Sequence, residues 1–138
     1  MKFSKNQLNR YSRQLILKKI GIIGQKKLLK SSVLIVGAGG LGSPIAIYLT
    51  SLGVGKIGLV DKDNIEMSNL ARQIIFDTKD IKKNKSSVAI KKLKKINPDL
   101  NFKSFNKKLT KKNIKYIAKD FDLIVDGSDN FRTRFLIN

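Results

Sequence analysis

The 138-residue chain contains no cysteine, no histidine and no tryptophan, and only two prolines. Without thiols there is no disulfide, no thiolate nucleophile and no persulfide or thioester chemistry; structural zinc is not expected either. Without imidazole the usual general base and the usual metal ligand are both missing. Acidic residues are scarce as well, 10 against 29 Lys and Arg, for a formal net charge of +19. No apolar run is long enough to cross a bilayer, and MKFSKNQLNRYSRQ is too polar for a secretory signal. A soluble, cytoplasmic protein with no membrane partner is therefore expected. Its chemistry is left to Asp, Lys, Arg and the backbone.

The positive charge raises a nucleic-acid reading, because clustered cations release counterions on meeting phosphates. Its make-up argues otherwise: 24 of the 29 basic residues are Lys and only 5 are Arg, beside 18 Ile and 11 Asn, a mix that AT-rich coding DNA favours. Between Lys79 and Lys119, 15 Lys face 2 Asp, and helical spacing sets these lysines opposite an apolar stripe, as on a solvated face. We expect no nucleic-acid partner.

What is present is an alternation of strand and helix patterns. Residues 5 to 31 carry apolar positions at loosely helical spacing, broken by Gly21 and Gly24, which predicts two short helices. These form an N-terminal helical arm over 1-31. Val33 to Val36 is an uninterrupted aliphatic run of the kind a strand buried on both faces shows. A glycine turn ends it, and Leu41, Ile45, Tyr48, Leu49 and Leu52 recur at helical spacing, with Pro44 in the first turn. Ile57 to Val60 is a second strand, so strand, helix and strand fit one βαβ crossover. Asn84 or Ser86 caps a further helix carrying Ala89, Leu93 and Ile96, stopped by Asn97-Pro98 before a weak strand at Leu100 to Phe105. Thr110 caps another helix, with Ile114, Ile117 and Ala118, followed by a strand at Leu123 to Val125 and a helix from Asn130. The expectation is one α/β domain over 32-138: a doubly wound, mostly parallel, Rossmann-like sheet. The fourth strand is the last visible and FLIN is apolar, so the chain reads as the first part of a longer sheet, of low stability alone.

The turn has the spacing GxGxxG at Gly37, Gly39 and Gly42. It follows a strand and opens a helix, and Asp61 ends the next strand, placed to accept ribose hydroxyl hydrogen bonds. Glycines there let phosphates approach backbone N–H groups and a helix N-terminus. Those residues alone do not separate NAD from ATP. A dehydrogenase needs a proton-transfer group such as His, or Tyr with Lys four residues on, and neither occurs. Instead DKDNIEMSNLARQ supplies Arg72, then Lys85 follows, and DGSDN supplies Asp129. Two cations and a carboxylate able to hold Mg²⁺ suit phosphoryl or nucleotidyl transfer, whose main demand is to neutralise phosphate charge.

RYSRQ (10 to 14), VLIVGAGGLGSP (33 to 44), LVDKDNIEMSNLARQIIF (59 to 76) and DGSDNFRTR (126 to 134) closely resemble the ThiF/MoeB/HesA family of ubiquitin-activating-enzyme-like adenylyltransferases. The resemblance covers the N-terminal portion of that family. It implies an ATP- and Mg²⁺-dependent enzyme that adenylates the C-terminal Gly-Gly carboxylate of a ubiquitin-like sulfur carrier protein, of ThiS or MoaD type, for thiamine or molybdopterin synthesis. It further implies that Gly40 and Asp61 hold adenosine and ribose, and that Ser68, Asn69 and Arg72 line the nucleotide pocket. Lys85 then meets the phosphates, Asp129 organises the metal with Asn130 beside it, and Arg13 reaches the partner's ATP across a homodimer. The catalytic set so implied is Arg13, Arg72, Lys85 and Asp129. The alternatives are an NAD-linked Rossmann oxidoreductase fragment and an inactive remnant that still binds nucleotide or carrier.

Overall fold

Ser32–Val36 (β1) is buried from Val33 to Val36 and lies between two other strands, as the unbroken aliphatic run Val33–Val36 requires. We describe residues 2–138 from a computed structural model. Lys56–Val60 (β2), Asn101–Phe105 (β3) and Leu123–Asp126 (β4) complete a parallel sheet of order β3-β2-β1-β4. The expected architecture is found. Side chains alternate along β1: Val33 and Ile35 enter one core with Ile57 and Leu59, while Leu34 and Val36 enter a second with Val60. Gly42–Leu52 (α4) and Lys85–Ile96 (α5) cover the first face, contributing Ala46, Val88, Ala89 and Leu93. Ile114–Ala118 (α6) and Phe131–Ile137 (α7) cover the second through Ile117, Leu136 and Ile137.

The helical arm departs from expectation. It holds three helices rather than two, Lys5–Arg10 (α1), Ser12–Leu15 (α2) and Gly21–Lys30 (α3), and the glycines expected to break it sit inside α3. Tertiary anchoring sets the breaks. Tyr11, at the α1–α2 junction, is fully buried and accepts a hydrogen bond from Asn97 (2.9 Å), while Gln14 and Gln25 both donate to the Leu52 carbonyl at the end of α4 (3.0 and 2.9 Å).

Asn84, the first of the two candidates, caps α5, accepting from the Ser87 N–H at 3.0 Å. Thr110 does not cap a helix. Its N–H donates to Asn113 Oδ1 and Asn113 Nδ2 donates back to the Lys108 carbonyl, both at 2.8 Å, so residues 110–113 close a separate turn and α6 begins only at Ile114. The last helix is capped by Asn130, whose Oδ1 accepts from the Thr133 N–H at 2.9 Å.

Candidate functional site

The chain leaves β1 through α4 to β2 and β3 on one side, then crosses to β4 on the other, so the order reverses between β1 and β4. Beyond the C-terminal ends of strands at such a point a crevice opens, because successive crossovers leave in opposite directions. Here it is a cavity of about 1480 Å³, walled by the glycine turn, the start of the loop after β2, the segment from Lys107 to Lys112 and the β4–α7 connection.

The glycine turn is built to very close tolerances. Gly37 has φ of +93°, and a Cβ at Gly42 would stand 1.8 Å from the Gly37 carbonyl oxygen. Asp61 fixes the turn from the neighbouring strand: its Oδ2 accepts from the Ala38 N–H and its Oδ1 from the Asp63 N–H, each at 2.8 Å. Gly37 and Gly39 line the cavity, whereas Gly42 is buried behind them at the start of α4. The aliphatic stem of Arg72 packs over Gly40, with Cγ 3.6 Å from where a Cβ would be, and its Nη1 donates to the Ser68 carbonyl at 3.0 Å.

Lys85 is the first residue of α5 and lines the same cavity at 8% exposure. Among the described residues no carboxylate lies within ion-pair distance of its ammonium, and no acceptor takes its protons. An unpaired cation at the positive end of a helix dipole is a poor structural element and a ready receptor for an anion. Asp129 lies across the cavity, exposed, with no hydrogen bond or ion pair to its carboxylate among the described residues. Its neighbour Asp126 is already occupied, accepting from the Ser128 N–H at 2.9 Å and from the Ser128 hydroxyl at 2.6 Å.

The structure therefore brings together Gly37, Gly39, Gly40, Asp61, Arg72, Lys85, Asp129 and Asn130 around one cavity. Ser68, Asn69 and Arg13 stand outside its wall. Asn69 is buried in the 3₁₀ turn Met67–Asn69, its Oδ1 accepting from the Glu66 N–H at 3.0 Å, and Ser68 offers Arg72 its carbonyl. Arg13 is exposed on α2. Sequence reasoning missed Gln73, which is 4% exposed on the cavity wall, together with Arg132 and the four lysines 107, 108, 111 and 112. The motif holding Gln73 was visible, but its burial was not. Nothing in an abundance of lysine marked those four as cavity residues.

The loop carrying Arg72 is held to α5 by charge. Lys92 bonds Asp77 at 2.6 Å and also bonds Asp80, closing the 3₁₀ turn Thr78–Asp80 onto the helix that begins with Lys85. The Lys92 hydrogen bond holds the Asp77 carboxyl below its ordinary range.

A parallel sheet with a glycine turn and a cationic crevice at its switch point defines a doubly wound, Rossmann-like α/β protein. Within that class the chain belongs to the ThiF family, whose model matches residues 11–138. It is 45% identical over 138 residues to the sulfur carrier protein adenylyltransferase of Thermus thermophilus, covering 100% of this chain and 51% of that protein. It is 48% identical over 136 residues to a probable molybdopterin-synthase adenylyltransferase of Porphyra purpurea, covering 99% of this chain and 36% of that one. Among solved structures, E. coli MccB with ATP superposes with a TM-score of 0.84 at 30% identity, over 94% of this chain and 40% of that chain. The chain thus spans about half the length, or less, of the curated relatives it matches.

Proposed function

We propose that this chain is the nucleotide-binding part of an ATP-dependent adenylyltransferase that activates the C-terminal Gly-Gly carboxylate of a ubiquitin-like sulfur carrier protein. The observation that carries this reading is Lys85, a largely buried lysine whose ammonium has no protein partner among the described residues, on the wall it shares with the glycine turn, Arg72 and Asp129. A relative named for adenylation of a sulfur carrier protein supports this identity of the carboxylate. ThiS- and MoaD-type carriers are equally compatible with the site.

In the reaction a carboxylate oxygen attacks the α-phosphorus of ATP, the bond to the β-phosphate oxygen breaks, and pyrophosphate leaves with its electrons. No protein base is needed, because the nucleophile is already ionised at neutral pH. The obstacle is repulsion between two anions, which Lys85 and Arg72 reduce. The donor set fits Mg²⁺: Asp129 has both oxygens free, and this ion is commonly held by one or two carboxylates together with substrate phosphates. Among the described residues no three His, Cys, Asp or Glu side chains gather, so no all-protein cage competes. Asp129 would hold the ion, which supplies charge neutralisation at the phosphates.

Arg13 lies outside its own chain's cavity, on an arm that exposes Leu8, Ile16, Leu17, Ile22 and Ile23. We place it in the site of a second copy, within a homodimer joined through this arm. Among the described residues no helix is long and apolar enough to cross a membrane; a cytoplasmic setting is part of the proposal.

The test is carrier-dependent exchange of radiolabelled pyrophosphate into ATP. Exchange that is abolished by Arg72→Ala or Asp129→Ala supports the assignment, whereas undiminished exchange in either variant removes that residue from the mechanism. Nicotinamide binding in place of exchange would mark an oxidoreductase fragment. Nucleotide or carrier binding without exchange would mark an inactive remnant.

A further inference from the structure

Gln73 is an unlikely residue for its position if folding alone chose it. Its backbone is already committed, the N–H to the Asn69 carbonyl at 2.9 Å and the carbonyl to the Phe76 N–H at 3.1 Å. It is only 4% exposed, yet the carboxamide is left without partners: Oε1 is sealed from solvent with no donor, and Nε2 donates to no protein group among the described residues. A sealed amide oxygen without a donor is costly, and a methionine would fill the same space without that cost.

Its surroundings indicate what the amide is for. Nε2 lies against the glycine turn, 3.9 Å from where a Cβ of Gly39 would stand, just as the Arg72 stem lies over Gly40. Two consecutive residues of one loop thus flank two consecutive residues of the turn, and both line the cavity. The end of the amide turned to the glycines is the donor. Phosphate oxygens at physiological pH accept hydrogen bonds and donate none, so they match the donor end that the amide offers the glycine turn, whereas a peptide N–H could meet only the acceptor end. The amide also adds a donor deep in the wall without adding a second buried cation beside Lys85.

We infer that Gln73 is a phosphate-binding residue, its Nε2 donating to a polyphosphate oxygen held at Gly39. This deepens the adenylyltransferase reading and rests on it for the identity of the nucleotide.

The experiment is calorimetric titration of the full chain with Mg-ATP and, separately, with inorganic pyrophosphate, comparing wild type with Gln73→Met and Gln73→Leu, alongside thermal melting of each. Loss of one hydrogen bond to a charged oxygen predicts about ten- to hundredfold weaker Mg-ATP binding in both variants. Melting midpoints should be unchanged or higher, because the orphaned acceptor has gone. A lower midpoint with undiminished binding would show a packing role and overturn the inference, as would full-strength binding at any midpoint. Pyrophosphate binding that Gln73→Met weakens, with no ATP binding by the wild type, would keep Gln73 and overturn the adenylate reading. If the wild type binds neither ligand, both fall.

Discussion

At the scale of single residues the site is defined by groups that the fold leaves unsatisfied. Lys85 is 8% exposed, stands at the N-terminus of α5 and has no counter-charge among the described residues, so it opposes folding while inviting an anion. Replacing it with the similarly shaped Lys85→Met should raise the free energy of unfolding by about 0.5 kcal/mol in chemical denaturation, since it removes a cation from the positive end of the helix dipole. The same variant should lose at least about tenfold in ATP affinity, the usual size of one charge-assisted contact. A variant that is both less stable and equally avid for ATP would show that Lys85 serves the core. Asp61 is a different case. Its sequence position suggested a ribose ligand, and in the structure its two oxygens already hold the Ala38 and Asp63 N–H groups, so it first serves to shape the turn. Each oxygen retains a second lone pair for a hydroxyl donor.

At the scale of elements, the Lys92 clamp joins the Arg72 loop to the helix of Lys85. Burial disfavours the Lys92 ammonium, but its hydrogen bonds to Asp77 and Asp80 prevail, and its pKa lies above the ordinary 10.5. The Lys92 bond holds Asp77 below its ordinary 3.8; Lys103 does the same for Asp120, and the Ser32 hydroxyl and N–H for Asp122. The signs follow from linkage. The lowered carboxylates stabilise the fold fully above pH 3.8 and cease to do so as pH falls through their folded values; the raised ammonium stabilises it below pH 10.5 and ceases as pH climbs past its folded value. Thermal melting should therefore show loss at both ends, and Lys92→Met should flatten the alkaline limb and cost about 1–2 kcal/mol at neutral pH. An alkaline limb unchanged in that variant would place its origin elsewhere.

How much of this was legible depended on what each element answers to. β1, α4 and β2 were readable because a continuous aliphatic run and a glycine turn have few other solutions. The breaks in the arm were not, because Tyr11 burial and the glutamine contacts to Leu52 come from distant segments. The start of α6 was misread because the same polar residues that cap helices also close turns, and Asn113 took the Thr110 N–H for a turn. Within the site, Gly37 and Asp61 were found through local spacing, and Arg72 and Lys85 through their charge in the segments that follow and through the family resemblance. Gln73 was passed over, since its burial and its missing partners exist only once the chain is folded.

At the scale of the whole molecule, net charge sets stability and binding against each other. A formal charge of +19 on 138 residues repels itself, and the cavity concentrates the excess: Arg72, Lys85, Lys107, Lys108, Lys111 and Lys112 share its wall with the carboxylates of Asp61, Asp63 and Asp129. Compacting such a chain is opposed by a repulsion that salt screens, with a Debye length falling from about 30 Å at 0.01 M to about 3 Å at 1 M. Relief of about 1 kcal/mol raises the melting midpoint of a domain this size by about 4 °C. The same screening weakens attraction for a polyphosphate, so Mg-ATP affinity should fall by about tenfold over that range while the free protein grows more stable. Melting followed with and without Mg-ATP between 0.02 and 0.5 M sodium chloride tests both halves at once, roughly spanning that screening range. The two curves should converge as salt rises. Parallel curves would mean that the nucleotide is held by contacts other than this ring of cations, and a midpoint indifferent to salt would mean that the lysines are too well solvated to oppose folding.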